Sequence, residues 1–131
     1  IKSRNTKPEL TIRRELYARG YRYRLHSPAL PGKPDVILRS RNAVIFINGC
    51  FWHGHDCDLF KWPGTNPDFW RTKIEGNRKR DKKVVKELTE LGWRVGVIWE
   101  CSLRGKKREP LMEVIDKISI WLSSEVNQLS I

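Results

Sequence analysis

The chain has 131 residues, 39% of them hydrophobic and 31% charged, which is ordinary for one folded domain over residues 1–131 and argues against disorder. The net charge of +11 favours a polyanionic partner, most often nucleic acid, although a basic surface kept for solubility is the alternative. The longest apolar run, residues 43–47, is far shorter than the ~20 residues needed to span a bilayer. No charged-then-apolar leader precedes that run in residues 1–42, so we expect neither a signal peptide nor membrane association.

The predicted elements alternate between helices and strands. Thr6, Pro8 and Glu9 form a helix start, with a capping residue, a first-turn proline and a capping-box glutamate. In chain order we expect a helix from Thr6 to Gly20, strands over 21–25, 31–38 and 43–48, a helix from Asn66 to Leu91, a strand over 93–99 and a helix over 109–122. Residues 39–42 would join the second and third strands as a hairpin. This order predicts an α/β fold with a mixed β-sheet flanked by helices.

The three cysteines cannot all pair with one another, which favours a reducing cytoplasm and a metal role over a disulfide framework. Cys50, His55, Cys57 and Cys101 form a Cys3His set, and thiolates with imidazole select zinc over magnesium or calcium. Spacing alone allows His53 to replace His55. The alternative is three buried free cysteines near unrelated histidines. Because Cys101 follows a predicted strand, we expect a structural zinc that ties the loop to a strand end.

Two acidic residues in the first third of the chain are candidates for acid chemistry. Asp35 starts an apolar strand, where a buried carboxylate needs a partner such as Mg²⁺. An exposed position in a turn is the alternative for Asp35. Glu9 has a complete explanation as a capping-box residue.

The long helix carries a stripe with alternating steps of three and four residues: Ile74, Asn77, Asp81, Val84, Leu88 and Leu91. Only its N-terminal part is interrupted by polar residues, Asn77 and Asp81. We therefore predict that the first half of the helix faces a polar cleft and the second half packs on the core. A solvated helix end is the competing explanation.

Two aromatic residues, Phe51 and Trp52, stand between the candidate zinc ligands. They could form a wedge inserted between base pairs, although core packing is the more frequent role of such side chains. The basic runs NRKRDKK and RGKKR have the density expected for phosphate contact, and a solvated helix face explains the first run nearly as well.

Four spaced motifs, LPGKPD, FINGCFWHGHDC, FWRTKIEGNRKRD and GWRVGVIWEC, together resemble the very short patch repair (Vsr) endonucleases. The resemblance runs from Glu9 to about Arg104. It implies a restriction-endonuclease-like fold with a structural zinc, and a catalytic Mg²⁺. It also implies an enzyme that nicks DNA on the 5′ side of the thymine in a T·G mismatch left by deamination of 5-methylcytosine.

The resemblance also assigns roles to the catalytic candidates. It implies that Asp35 binds the catalytic metal, that Ile47 contributes its backbone carbonyl, and that His53 activates the attacking water. Glu9 and Asp81 match positions that hold metal-bound waters or orient the histidine. His53 is thereby separated from the zinc ligands, which the resemblance gives as Cys50, His55, Cys57 and Cys101.

The resemblance further assigns the DNA contacts. Phe51 and Trp52 match the wedge inserted beside the mismatch, and Lys73 and Asn77 match residues that read the mismatched pair from the major groove. Some members have Thr-His where this chain has Ile47-Asn48, so an acid–base role is not expected at position 48. The N-terminal arm that grips DNA in the family is expected to be missing or shortened here.

We therefore predict a mismatch-directed endonuclease that acts as a monomer on double-stranded DNA in a bacterial cytoplasm, at the nucleoid, with mismatch-repair proteins as possible accessory partners. One alternative is a zinc-stabilised DNA-binding module without catalysis, in which Asp35 and His53 would have no role. Another is a restriction-type endonuclease of the same fold, which would require no mismatch.

Overall fold

The computed structural model describes residues 6–131. Its elements, in chain order, are α1 (Lys7–Ala18), β1 (Arg24–Leu25), β2 (Val36–Leu38), β3 (Ala43–Asn48), α2 (Pro67–Glu90), β4 (Arg94–Trp99), α3 (Leu111–Leu122) and β5 (Gln128–Ser130). Short 3-10 turns over Arg39–Arg41 and Glu100–Ser102 follow β2 and β4.

The five strands form one mixed sheet in the order β1-β2-β3-β4-β5. The first three strands pair antiparallel, and β4 and β5 extend the sheet with parallel pairings. Parallel neighbours need a crossover connection, and α2 and α3 provide the two crossovers. The predicted mixed sheet flanked by helices is confirmed.

Each face of the sheet carries its own core, because successive strand residues point to opposite faces. On one face, α1 and α3 pack with Ile12, Ile115 and Trp121 against Val36 and Ile45. On the other face, α2 covers a smaller cluster formed by Ile37, Val44, Leu88 and Val95. The sheet is therefore the middle of three layers. None of the helices over residues 6–131 has the length and apolar character that crossing a membrane requires.

The structure also corrects four details of the sequence prediction. The strand expected over 21–25 is reduced to two residues, although Tyr21 and Tyr23 still pack on the core. The strand expected over 31–38 is reduced to its last three residues, because the segment before it is a turn. Leu91, expected on the apolar stripe, is the cap of α2 and is 62% exposed. The short strand β5 was not predicted, since its sequence carries no run of β-branched or aromatic residues. The hairpin is confirmed, with Asn42 in the left-handed region (φ 50°).

Candidate active site

The sheet itself brings the cysteines together. Asn48 and Trp99 are register partners at the ends of the parallel strands β3 and β4. Cys50 and Cys101 each follow two residues later, so the two thiols leave neighbouring strand ends on the same side. Between Cys50 and His55 the chain turns tightly, with the His55 N–H donating to the Cys50 carbonyl (3.0 Å). At Gly54 (φ 57°) a Cβ would lie 2.6 Å from Ile74 of α2, so only glycine fits this turn.

Cys50, His55, Cys57 and Cys101, here termed the cysteine cluster, have ligand atoms within 4.8 Å of one another and could hold a metal ion. His55 Nδ1 lies 3.7 Å from Cys50 Sγ and 3.5 Å from Cys101 Sγ. A tetrahedral zinc ion, with bonds of about 2.3 Å to sulfur and about 2.0–2.1 Å to nitrogen, separates such ligands by about 3.6 Å. The donor types and their spacing therefore fit zinc.

Burial favours the neutral form of three ligands of the cysteine cluster. It raises the pKa of the Cys50 and Cys101 thiols, because a thiolate is poorly solvated there. It lowers the pKa of His55, which keeps the imidazole neutral and able to bind a metal. The His55 ring also stacks on Trp99, with centroids 4.0 Å apart and an angle of 6° between the planes. A bound dication would supply the positive charge that three thiolates need.

The other histidine of the loop, His53, points away from the cysteines. Its Nδ1 lies 2.6 Å from Oδ2 of Asp81, a residue of α2. The sequence left open whether His53 or His55 joins the cysteines, and in the structure His55 does. Asp81 comes from the polar part of the α2 stripe, where it lines a cleft as predicted, and the solvated-end explanation is wrong for this residue.

Asp35 lies in the same cleft, immediately before β2. Its Oδ2 accepts a hydrogen bond from the Ile47 N–H at 2.8 Å. Burial raises the pKa of Asp35 to about 6, against the opposing effect of that hydrogen bond, and Glu9 adds to the rise. The side chain is only 16% exposed, so the alternative of an exposed turn residue is wrong. A carboxylate in this setting is stabilised by a cation.

Glu9 is almost fully buried beside Asp35. The capping contact is made by its backbone N–H to Thr6 Oγ1 (3.5 Å), while its carboxylate lies 2.8 Å from both Arg13 and His26. Capping is therefore only part of the explanation for this residue. Glu9, His26 and Asp35, here termed the carboxylate cluster, have ligand atoms within 4.8 Å of one another.

Sequence reasoning missed His26. It is the third histidine of the chain and stands alone in the segment after β1, far along the sequence from both other members of the carboxylate cluster. No residue pattern around it indicates metal binding. Only the packing of α1 against the sheet brings it between two carboxylates.

Phe51 and Trp52 belong to neither core cluster, so the core-packing alternative is wrong for both. They are half-buried and line the cleft. Their rings pack together (centroids 5.3 Å) and against Trp70 at the start of α2 (5.4 and 6.0 Å). Phe60 adds a further contact to Phe51 (6.0 Å). The two aromatic side chains thus stand on an aromatic support outside the core.

Helix α2 contacts this aromatic pair through its two predicted base-reading residues. The Asn77 side chain donates to the Trp52 carbonyl (2.8 Å), and the Lys73 ammonium lies 5.9 Å from the Trp52 ring centroid. Asn77 therefore holds the turn that carries Trp52. Lys73 and Asn77 both line the cleft.

The cleft measures about 1490 Å³ and is open to solvent. It brings together eight residues proposed from the sequence: Asp35, Ile47, Phe51, Trp52, His53, Lys73, Asn77 and Asp81. None of the four residues of the cysteine cluster lines it. The cleft is large enough to admit a polymer backbone rather than only a small ligand.

Sequence comparisons agree with this arrangement. The family model for DNA mismatch endonuclease Vsr matches residues 1–59. DNA mismatch endonuclease Vsr of Escherichia coli is 39% identical over 125 residues, which cover 95% of this chain and 80% of that enzyme. The chain belongs to the Vsr family.

Other relatives of this Vsr-family chain carry the name of nicking enzymes. The type II nicking enzyme V.XorIIP of Xanthomonas oryzae is 48% identical over 103 residues, covering 79% of this chain and 76% of that enzyme. The type II nicking enzyme V.NmeAIP of Neisseria meningitidis is 43% identical over 120 residues, covering 90% of this chain and 86% of that enzyme. The predicted membership is confirmed, and with it the assignment as a DNA mismatch endonuclease.

Proposed function

We propose that this Vsr-family endonuclease nicks one DNA strand on the 5′ side of the thymine in a T·G mismatch, with Mg²⁺ at Asp35 and a structural zinc in the cysteine cluster. The observation that carries the proposal is the shared cleft, which is lined by a buried carboxylate (Asp35), the His53–Asp81 pair and the half-buried aromatic pair of Phe51 and Trp52. We further propose that residues 1–131 act as one domain and as a monomer.

Asp35 and Ile47 are the proposed protein ligands of Mg²⁺. In a β-strand the N–H and C=O of one residue point to the same neighbouring strand. Because the Ile47 N–H donates to Asp35 Oδ2, its carbonyl is directed to the same side and can bind beside the carboxylate. When bound, Mg²⁺ would neutralise charge on the scissile phosphate. A side chain at position 47 takes no part in this contact, which explains why isoleucine is acceptable there.

His53 is the proposed general base. With Nδ1–H donated to Asp81, Nε2 carries the lone pair and can take a proton from the attacking water. The Asp81 carboxylate then stabilises the imidazolium that forms. This assignment makes Asp81 an orienting residue, and it makes the zinc-held loop the support of the base.

Phe51 and Trp52 are proposed to enter the base stack beside the mismatch. Unstacking costs a few kcal/mol per step, and a T·G pair resists it less than a Watson–Crick pair. Lys73 and Asn77 lie beside Trp52 and are proposed to reach base edges in the major groove. The Asn77 amide would have to divide its hydrogen bonds between Trp52 and a base.

The test is a nicking assay on two duplexes that differ only in one pair, T·G or T·A, with and without Mg²⁺. We expect Mg²⁺-dependent nicking of the T·G duplex alone, lost in Asp35→Ala, with DNA binding retained. Asp116→Asn, an exposed carboxylate that pairs with Arg19, is the matched control and should behave as wild type.

Two results would contradict the proposal in different ways. Equal nicking of both duplexes would indicate a restriction-type endonuclease. Binding without nicking by the wild-type protein, under any divalent cation, would indicate a DNA-binding module.

A further inference from the structure

His26 occupies a central position in the carboxylate cluster. Its Nε2 lies 2.8 Å from Glu9 Oε2 and 3.7 Å from Asp35 Oδ1. The contact with Glu9 lacks hydrogen-bond geometry, and this buried nitrogen has no hydrogen-bond partner among residues 6–131. A buried nitrogen aimed between two carboxylate oxygens without a hydrogen bond is costly unless something binds it.

The cluster offers one nitrogen and two oxygen ligands within 4.8 Å of one another. Asp35 Oδ2 accepts the hydrogen bond from the Ile47 N–H, and Oδ1, which lies 3.7 Å from His26 Nε2, can offer a lone pair to a cation held by both residues. His26 lines the cleft together with Asp35, which gives an ion a route from solvent. The cluster is thus continuous with the proposed catalytic metal site.

We propose that His26 is a nitrogen ligand of the catalytic metal, and that this site, which accepts Mg²⁺, therefore binds Mn²⁺ more tightly than Mg²⁺. The proposal deepens the proposed function and rests on its assignment of Asp35. Both Mg²⁺ and Mn²⁺ suit oxygen ligands, but Mg²⁺ is the harder ion and keeps several waters, whereas the larger and softer Mn²⁺ accepts an imidazole nitrogen more readily. The geometry at His26 adds that imidazole to a carboxylate site.

The competing role for His26 is that of a counter-ion, with an imidazolium between Glu9 and Asp35. A counter-ion acts through charge alone, so its removal would change the affinities for Mn²⁺ and Mg²⁺ by the same factor. A nitrogen ligand acts on Mn²⁺ more than on Mg²⁺. The ratio of the two affinities therefore separates the roles.

The experiment uses the full chain with its cysteine cluster loaded with zinc. Mn²⁺ binding is followed by loss of the free-ion signal in electron paramagnetic resonance, and Mg²⁺ binding by competition. We expect His26→Gln, which keeps an oxygen ligand, to weaken Mn²⁺ binding about 10–100-fold, the range seen when support of a metal site is lost. Mg²⁺ binding should change much less.

A second variant tests whether a folding defect of His26→Gln explains its effect. His26 has a positive φ of 47°, which asparagine tolerates better than glutamine, so His26→Asn should give the same change in ratio. Pulsed resonance on Mn²⁺-loaded wild type gives an independent reading, because a bound imidazole couples its ¹⁴N to the manganese electrons. Absence of that coupling, or an unchanged ratio in either folded variant, overturns the role of His26.

Asp35→Asn distinguishes failure of this inference from failure of the proposed function. If it abolishes Mn²⁺ and Mg²⁺ binding while His26→Gln leaves their ratio unchanged, the metal site stands and only the nitrogen ligand is wrong. If Asp35→Asn binds both ions like wild type, the assignment of Asp35 is wrong, and the inference about His26 falls with it.

Discussion

The cysteine cluster and the carboxylate cluster are both groups of side chains suited to a metal, yet they are assembled in opposite ways. The cysteine cluster takes three ligands from one eight-residue stretch, 50–57, and the fourth from the neighbouring strand end. The carboxylate cluster takes one residue each from α1, the segment after β1 and the position just before β2. None of the four residues of the cysteine cluster lines the cleft, whereas His26 and Asp35 of the carboxylate cluster do. This difference in position underlies the proposed division into a structural site and a reactive one.

The sharpest test of this contrast is loss of a ligand from the cysteine cluster. We expect Cys101→Ser and His55→Ala to release zinc and to destabilise the fold by several kcal/mol, a part of the ~10–16 kcal/mol that structural zinc contributes in small zinc-binding peptides. Zinc content by mass spectrometry and thermal unfolding measure both effects. His53→Ala is the matched control, and loss of zinc from it alone would reverse the two histidine assignments.

The proposed catalytic roles of the cleft residues are tested by the rate of nicking. His53→Ala should keep its zinc and melt near wild type, yet lose about 10²–10⁴-fold in nicking rate, the usual contribution of a general base. Asp81→Asn should lose less, because the histidine remains and only its orientation is weakened. Single-turnover rates on the T·G duplex are the measurement. An Asp81→Asn variant slower than His53→Ala would contradict the orienting role.

Loss of one ring from the aromatic pair, Phe51 and Trp52, should have a smaller effect, on the selectivity for mismatched over matched DNA. Trp52→Ala should reduce the preference for T·G over T·A duplex by about tenfold or more, since unstacking of a base step costs a few kcal/mol. Its melting temperature should fall little, because Trp52 belongs to neither core cluster. Loss of a core tryptophan would instead cost ~3–5 kcal/mol. Trp62→Ala, an aromatic residue 44% exposed, is the control. A large fall in melting temperature with unchanged selectivity would make Trp52 a packing residue.

The smallest expected effect is a gain in stability. The pKa of Asp35 is about 6 in the fold against an ordinary 3.8, so the folded state disfavours the charged carboxylate. In Mg²⁺-free buffer this cost is absent below about pH 4, grows as pH rises to about 6 and is constant above it. Asp35→Asn removes the cost and should stabilise the protein at pH 7.5 by about 1–3 kcal/mol, at about 1.4 kcal/mol per pKa unit.

The comparison is the difference in unfolding free energy between Asp35→Asn and wild type at each pH. Contributions that the two proteins share, including that of the cysteine cluster, cancel in this difference. The buffer contains no chelator, so that zinc is retained. A difference independent of pH, or one that grows toward pH 4, would contradict the assigned burial cost.

The two clusters also show what a sequence can reveal about this site. The cysteine cluster was predicted because its residue types are rare and close together, and the helices and most strands followed from periodicity and capping residues. His26 was not predicted, because a lone histidine in a loop carries no pattern. The other two members of the carboxylate cluster, Asp35 and Glu9, lie 9 and 17 positions away in the sequence. The packing role of Asn77 against the Trp52 carbonyl was missed for the same reason, since it depends on where α2 lies against the loop.

The Trp99 ring has a consequence for how the enzyme comes into being. Its face stacks on His55, and the His53 ring lies nearly perpendicular to it with the ring centroids 6.0 Å apart, so one indole borders both histidines of the loop. On the proposed zinc occupancy of the cysteine cluster, a newly made chain without the ion would leave His55 unanchored, and with it the indole that borders His53. Metal capture would then act as the final maturation step of the nuclease, and DNA near an immature chain would be spared.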